Sequence, residues 1–233
     1  MRNNKPKTEC DRCGTCCING GPALHYEDRE LLQNNQLHPE HLITIRKGEP
    51  IFSLDAEMPE TAQAELVKIK GRGNEWTCFF FAEQEASCTI YRQRPLECSL
   101  LKCWDTAALE KVAGRNLLCR SDIIAPQDPL LPLIRMHEEK CCLENLGSLL
   151  SEVRQERSQQ EAITVLTDLV NSDLAIRAEA YAKYRFSLDL ELFFFGRPLF
   201  KILHQLGMAT HEENGICRLS IEPSPPSVRL AVP

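Results

Sequence analysis

Cysteine placement constrains this chain more than any other feature. Of its twelve cysteines, eight fall in two windows: Cys10, Cys13, Cys16 and Cys17 in the first, Cys78, Cys88, Cys98 and Cys103 in the second. The opening stretch, MRNNKPKTEC, is basic and polar, and no apolar segment follows it. No secretory signal is therefore expected, and the default location is the cytoplasm. In a reducing compartment, clustered thiols are metal ligands or redox groups more often than disulfide staples.

The first window carries the strongest signal. Two residues between successive cysteines let a tight turn aim their sulfurs at one point, and Gly14 tolerates the left-handed backbone such a turn needs. Cys10, Cys13 and Cys16 match the first three ligands of a ferredoxin-type iron–sulfur loop. The match then stops, because Cys17 follows Cys16 directly. Adjacent side chains diverge, so Cys16 and Cys17 are expected to do different jobs. A fourth ligand must come from the second window. Eight thiolates allow two four-coordinate sites, or one site with spare cysteines. Zinc and a 4Fe-4S cluster both accept four thiolates. The three-cysteine loop favours iron–sulfur.

His137 and Cys141 stand four apart in a helical stretch, so they share one face. Cys141 is a further candidate ligand, and His137 reads as a capping or solvated residue. Cys119 and Cys217 read as isolated core or surface thiols, and Cys142 as core. Glu138 and Glu139 read as a solvated helix face. Phe79–Phe81 and Phe193–Phe195 read as core, and Arg94 as a loop-holding residue. A thioredoxin-like role for the CxxC pairs would need a βαβ setting, which the sequence does not offer.

Charge and hydropathy narrow the partners. The 27 Lys+Arg against 33 Asp+Glu give a net charge of −6, which argues against nucleic acid as the main partner. No apolar run reaches the roughly 18 residues of a membrane span. A metal ion or cluster is the partner the sequence implies; no protein partner is legible.

The local patterns predict a polar lead over 1–9, a helix from Tyr26, and an extended piece at Ile43 and Ile45. A strand at LVKIK precedes a pair of strands at TCFFF and CTIY. Helices follow from Pro95 and over WDTAALEKVAG, stopped by Gly114. Pro126, Pro129 and Pro132 mark a linker. Helices are then expected over about 134–156, 158–170 and 172–186, with a break at Asn171-Ser172-Asp173. Two more surround Gly196-Arg197-Pro198, and the Pro-rich end should be extended. The expected class is α+β: a small cysteine-cluster core with short strands over residues 1–120, and a helical C-terminal subdomain over 121–233.

CDRCGTCC followed by CTIYRQRPLECSLLKC resembles the CxxCxxCC cysteine-cluster proteins, the YkgJ family of zinc- or iron-chelating domains. The matching positions are Cys10, Cys13, Cys16, Cys17, Cys78, Cys88, Ile90, Tyr91, Arg94, Pro95 and Cys98. The resemblance covers about residues 10–105 and implies a metal or iron–sulfur site at those cysteines. It implies no single reaction. Flagellin lysine N-methylases carry a similar domain, so a cluster-dependent enzyme, an oxidoreductase or a methyltransferase, is an alternative by analogy. A structural-zinc interaction module is another.

Overall fold

The computed structural model describes residues 7–8, 10–51, 60–73 and 76–222. The expectations for most of the lead and for the Pro-rich end after Glu222 lie outside the described residues.

The N-terminal half is built from very short elements. A single-turn helix α1 (Thr15–Ile18) is followed by α2 (Arg29–Gln33) and the strand β1 (Leu42–Ile45). Next come β2 (Pro50–Ile51), β3 (Glu60–Thr61), β4 (Leu66–Ile69), β5 (Phe81–Ala82) and β6 (Ser87–Cys88). Two short helices, α3 (Leu96–Leu100) and α4 (Ala107–Glu110), complete it. All strand pairs are antiparallel: β1 with β4, β2 with β3, and β5 with β6. All four residues of β1 are buried, because β4 takes its edge and helical residues cover it. Thr44 Oγ1, for example, donates to the Phe193 carbonyl at 2.6 Å. The chain around Leu24 and Leu118 runs beside β4, with Leu24 N donating to Val67 O and Val67 N to Leu118 O, both at 2.9 Å.

The C-terminal half is helical: α5 (Leu131–Lys140), α6 (Leu146–Val153), α7 (Gln159–Tyr184), α8 (Glu191–Phe195) and α9 (Leu199–Gln205). It ends in a hairpin of β7 (Met208–Glu213) and β8 (Ile216–Ile221). One core joins Leu42, Val67, Ile69, Phe80, Phe81 and Leu118 to Ile134, Ile176 and Phe193–Phe195, so it draws on both sides of residue 120. A second core packs α6, α7, α9 and the hairpin around Leu146, Leu166, Leu199 and Leu219.

Three expectations are corrected. The helix expected over 134–156 is two helices, separated by Cys141–Asn145, where the backbone at Cys141 leaves the helical region. The break expected at Asn171-Ser172-Asp173 does not exist, because those polar groups find partners inside the helix packing. Asn171 Nδ2 donates to Thr167 O and to Cys217 O, both at 2.8 Å, and Asp173 accepts three hydrogen bonds. The terminal hairpin was not expected, although Asn214 and Gly215 both hold positive φ, as a two-residue type I′ turn requires.

Candidate metal centre

The N-terminal cysteines sit on a loop docked against the β5–β6 hairpin. Gly14 makes the docking possible: its φ is +75°, and a Cβ there would lie 2.4 Å from the Phe81 ring. The Gly14 carbonyl accepts the N–H groups of Cys17 and Ile18 at 2.9 Å, which winds α1. Cys78 N then donates to Cys17 O at 2.7 Å, tying the two windows together. In the hairpin, Phe81 pairs with Cys88.

Cys98 is carried by α3, and three hydrogen bonds fix that helix, with a fourth orienting Asp28. Leu96 N donates to Asp28 Oδ1 at 2.8 Å, and His25 N to Asp28 Oδ2 at 2.9 Å. Glu97, beside Cys98, accepts Ala23 N on Oε2 at 2.9 Å and meets His25 Nε2 with Oε1 at 3.1 Å. His25 and Asp28 are buried. Burial pushes the Asp28 carboxyl up, and its two backbone donors only partly offset that. Sequence reasoning missed His25, Asp28 and Glu97; proximity of Glu97 to Cys98 in RPLEC was the one signal available. Arg94 stacks its guanidinium 4.1 Å from the Tyr91 ring centre, and its charge favours the Cys88 thiolate.

The eight cysteines separate by burial. Cys10, Cys13, Cys16 and Cys103 are exposed, Cys17, Cys88 and Cys98 half-buried, and Cys78 buried. Burial raises the thiols of Cys78, Cys88 and Cys98, and for Cys98 the neighbouring Cys78, Cys88 and Cys16 add to it. The Cys16 and Cys17 sulfurs lie 4.0 Å apart. A hydrogen bond between them brings Cys16 down to about 6 and holds Cys17 protonated. The Thr15 hydroxyl, 3.3 Å from Cys13 Sγ, lowers Cys13. A thiophilic metal would stabilise these thiolates directly while displacing their protons. Among the described residues, three candidate ligand atoms lie within 4.8 Å of one another only at His137, Cys141 and Asp173.

That trio belongs to a separate, buried ion-pair network. His137 Nε2 meets Asp173 Oδ1 at 2.6 Å, and Arg177 Nε donates to the same oxygen at 2.9 Å. Arg46 Nη1 lies 3.1 Å from His137 Nδ1, and its Nη2 donates to the Cys141 carbonyl. Burial raises the Cys141 thiol to about 11, with Asp173 adding to it. Cys141 thus faces Asp173, Arg46 and Arg177 rather than the other cysteines. His137 is fully buried, not a solvated cap. Glu138 bonds the buried Arg120 at 2.7 Å and is not on a free surface; Glu139 is exposed. Cys142 is exposed rather than core.

Residues 9–120 match a family model, CxxCxxCC, described as a putative zinc- or iron-chelating domain. Over those residues, just under half of its length, the chain is similar to the CxxCxxCC family. No curated protein and no solved structure matches the chain. The CxxCxxCC match contains both cysteine windows and ends at Arg120, whose side chain bonds Glu65, Glu138 and the Phe194 carbonyl. The cysteine arrangement suits the metal-chelating chemistry that the family description names. Among the described residues no helix is long and apolar enough to cross a membrane.

Proposed function

We propose that this chain is an iron–sulfur protein of the CxxCxxCC family, with Cys10, Cys13, Cys16, Cys17, Cys78, Cys88, Cys98 and Cys103 as its ligand pool and a reducing compartment, the cytoplasm, as its location. The observation that carries the reading is the bond from Cys78 N to Cys17 O, which holds the two windows against each other. Iron–sulfur is preferred over zinc because Cys10, Cys13 and Cys16 have ferredoxin-type spacing. Cys141 is left out of the pool: two guanidiniums beside its group repel a cation. The bound centre would supply electron transfer or hold the N-terminal loop to the hairpin. The chain's own part is to present thiolates, with Asp28 and Glu97 fixing the helix that carries Cys98.

Anaerobic purification followed by iron, zinc and sulfide analysis and an optical spectrum tests this. Iron and sulfide in equal amounts with visible absorption support it. A colourless protein with stoichiometric zinc and no sulfide refutes the choice of metal. A metal-free, folded protein refutes the reading altogether.

A further inference from the structure

Away from the eight cysteines, a cleft of about 490 Å³ opens between α2, the loop that follows it and the Arg120–Asp122 turn. That volume lies in the range of small-molecule sites. Its floor is apolar: Leu37 is buried, and Leu32 and Ile123 are half-buried. Its rim is polar, with Gln33 and His38 exposed. Both the loop and the turn are held in place. The Leu31 carbonyl accepts the N–H groups of Gln36 and Leu37, at 2.8 and 3.0 Å, which folds the loop back onto α2. Asp122 Oδ2 accepts Cys119 N at 2.9 Å and Cys119 Sγ at 3.0 Å. Its Oδ1 accepts the Tyr26 hydroxyl and Arg29 Nη2, both at 3.2 Å. Burial pushes the Asp122 carboxyl up, but the hydrogen bonds from Cys119 and Tyr26 and the Arg29 charge outweigh it, so the group stays ionised.

Arg29 is anchored in this cleft with donors to spare. Its guanidinium carbon lies 4.9 Å from the Tyr26 ring centre, and Asp122 takes only Nη2. Among the described residues, Nε and Nη1 have no hydrogen-bond partner. The 3.2 Å bond to Asp122 is also long for a charge-assisted one, ordinarily about 2.7–2.9 Å. A guanidinium fixed by stacking, with one edge open, is a receptor for a carboxylate. A plain carboxylate bound there would meet the Asp122 charge beside it. An ammonium on the same carbon as the carboxylate answers that charge, and the apolar floor suits a hydrocarbon side chain. We propose that the cleft binds a free α-amino acid with an apolar side chain: its carboxylate on Arg29, its ammonium beside Asp122, and its side chain against Leu32, Leu37 and Ile123. None of the eight pool cysteines lines the cleft, so the site does not depend on the metal-binding reading above.

The test is isothermal titration of the full chain with L-leucine and three comparison ligands. Isocaproate lacks the ammonium, isoamylamine lacks the carboxylate, and glycine lacks the side chain. Leucine should bind saturably, and each comparison ligand at least about tenfold more weakly, the worth of one charge-assisted hydrogen bond or one buried apolar side chain. R29M should weaken leucine at least about tenfold, with circular dichroism and metal content at wild-type values. R92M, at an exposed arginine outside the cleft, should leave binding unchanged. Absence of saturable leucine binding overturns the proposal, and so does any comparison ligand that binds as tightly as leucine. Leucine affinity unchanged in a folded R29M chain puts the ligand elsewhere and overturns it too. Should R29M fail to fold, the ligand comparison on wild type decides. A wild-type chain that binds leucine but holds no metal sinks the metal reading alone, which keeps the two failures distinct.

Discussion

Replacing Asp173 by Ala should cost about 3–5 kcal/mol, the range for removing one partner of a buried ion pair. Asp173 is fully buried in the middle of α7. Oδ1 takes His137 Nε2 and Arg177 Nε, and Oδ2 takes the Leu199 N–H at 2.9 Å. Burial pushes the carboxyl up, but His137 and Arg177 outweigh it and keep it ionised. Deletion leaves the Leu199 N–H unpaired, which alone costs about 1–3 kcal/mol. Arg177 keeps Glu191 and the carbonyls of Phe195 and Gly196 but loses its closest charge partner on α7. D173N retains shape but has one acceptor oxygen for three donors, so a loss of about 2 kcal/mol or more is expected. A stable chain of this kind has about 5–15 kcal/mol in all, so D173A should be severe. Urea unfolding at constant metal loading gives the number, provided the slope m is unchanged. V165A, at an exposed position of the same helix, should stay within about 0.5 kcal/mol. A loss below about 1 kcal/mol for D173A would refute the claim that this network locks the helices to the N-terminal half.

Other consequences follow from the geometry. G14A should lower metal content while leaving the far-UV circular dichroism intact, since a left-handed non-glycine residue costs about 1–2 kcal/mol and its Cβ would displace the Phe81 ring. E97Q should weaken metal retention about 10- to 100-fold in chelator competition, as loss of an outer hydrogen-bond partner does; retention equal to wild type would remove Glu97 from its positioning role. Burial pushes Glu138 up, but His137 close by and the charges of Arg46 and Arg120 bring it down to about 2, against an ordinary 4.5. Its contribution is present above pH 4.5 and lost as pH falls toward about 2, so E138Q should flatten the decline of the urea midpoint across that interval and do little near neutrality.

The cysteine windows and the apolar runs were legible because each announces itself locally. Phe193–Phe195 could hardly be anything but core, and all three are buried. Gly207, just past the end of α9, holds a φ of +88°. The failures share one cause. Asn171 and Asp173 are poor helix-interior residues by propensity, yet α7 runs through them because Cys217, His137 and Leu199 arrive from distant parts of the chain to bond them, beside Arg177 one turn along. Glu138 and His137 were misplaced for the same reason: a charged residue on a helix looks solvated until its partner, here Arg46 or Arg120, is known. The hairpin at Asn214-Gly215 is a different case. Its turn signal is local and strong, but His211, Glu212 and Glu213 mask the strand pattern on one side.

The two cross-linking devices answer the same weakness. In the first hundred residues the strands run from two to four residues and the helices from four to five, well below lengths that persist alone in water. Where this region meets the helical half, Arg46, Arg120 and Thr44 supply buried bonds across the junction. Around Cys17, Cys78, Cys88 and Cys98 the described residues offer the Cys78–Cys17 backbone bond, the Phe81 ring and the His25, Asp28 and Glu97 bonds that fix α3. Proton-bearing thiols bond weakly, so the cysteines themselves cross-link these pieces only when a cation replaces their protons. On the proposed reading, metal at the cysteines and guanidinium–carboxylate pairs at the junction are thus two solutions to one problem in a half-chain with little regular structure of its own.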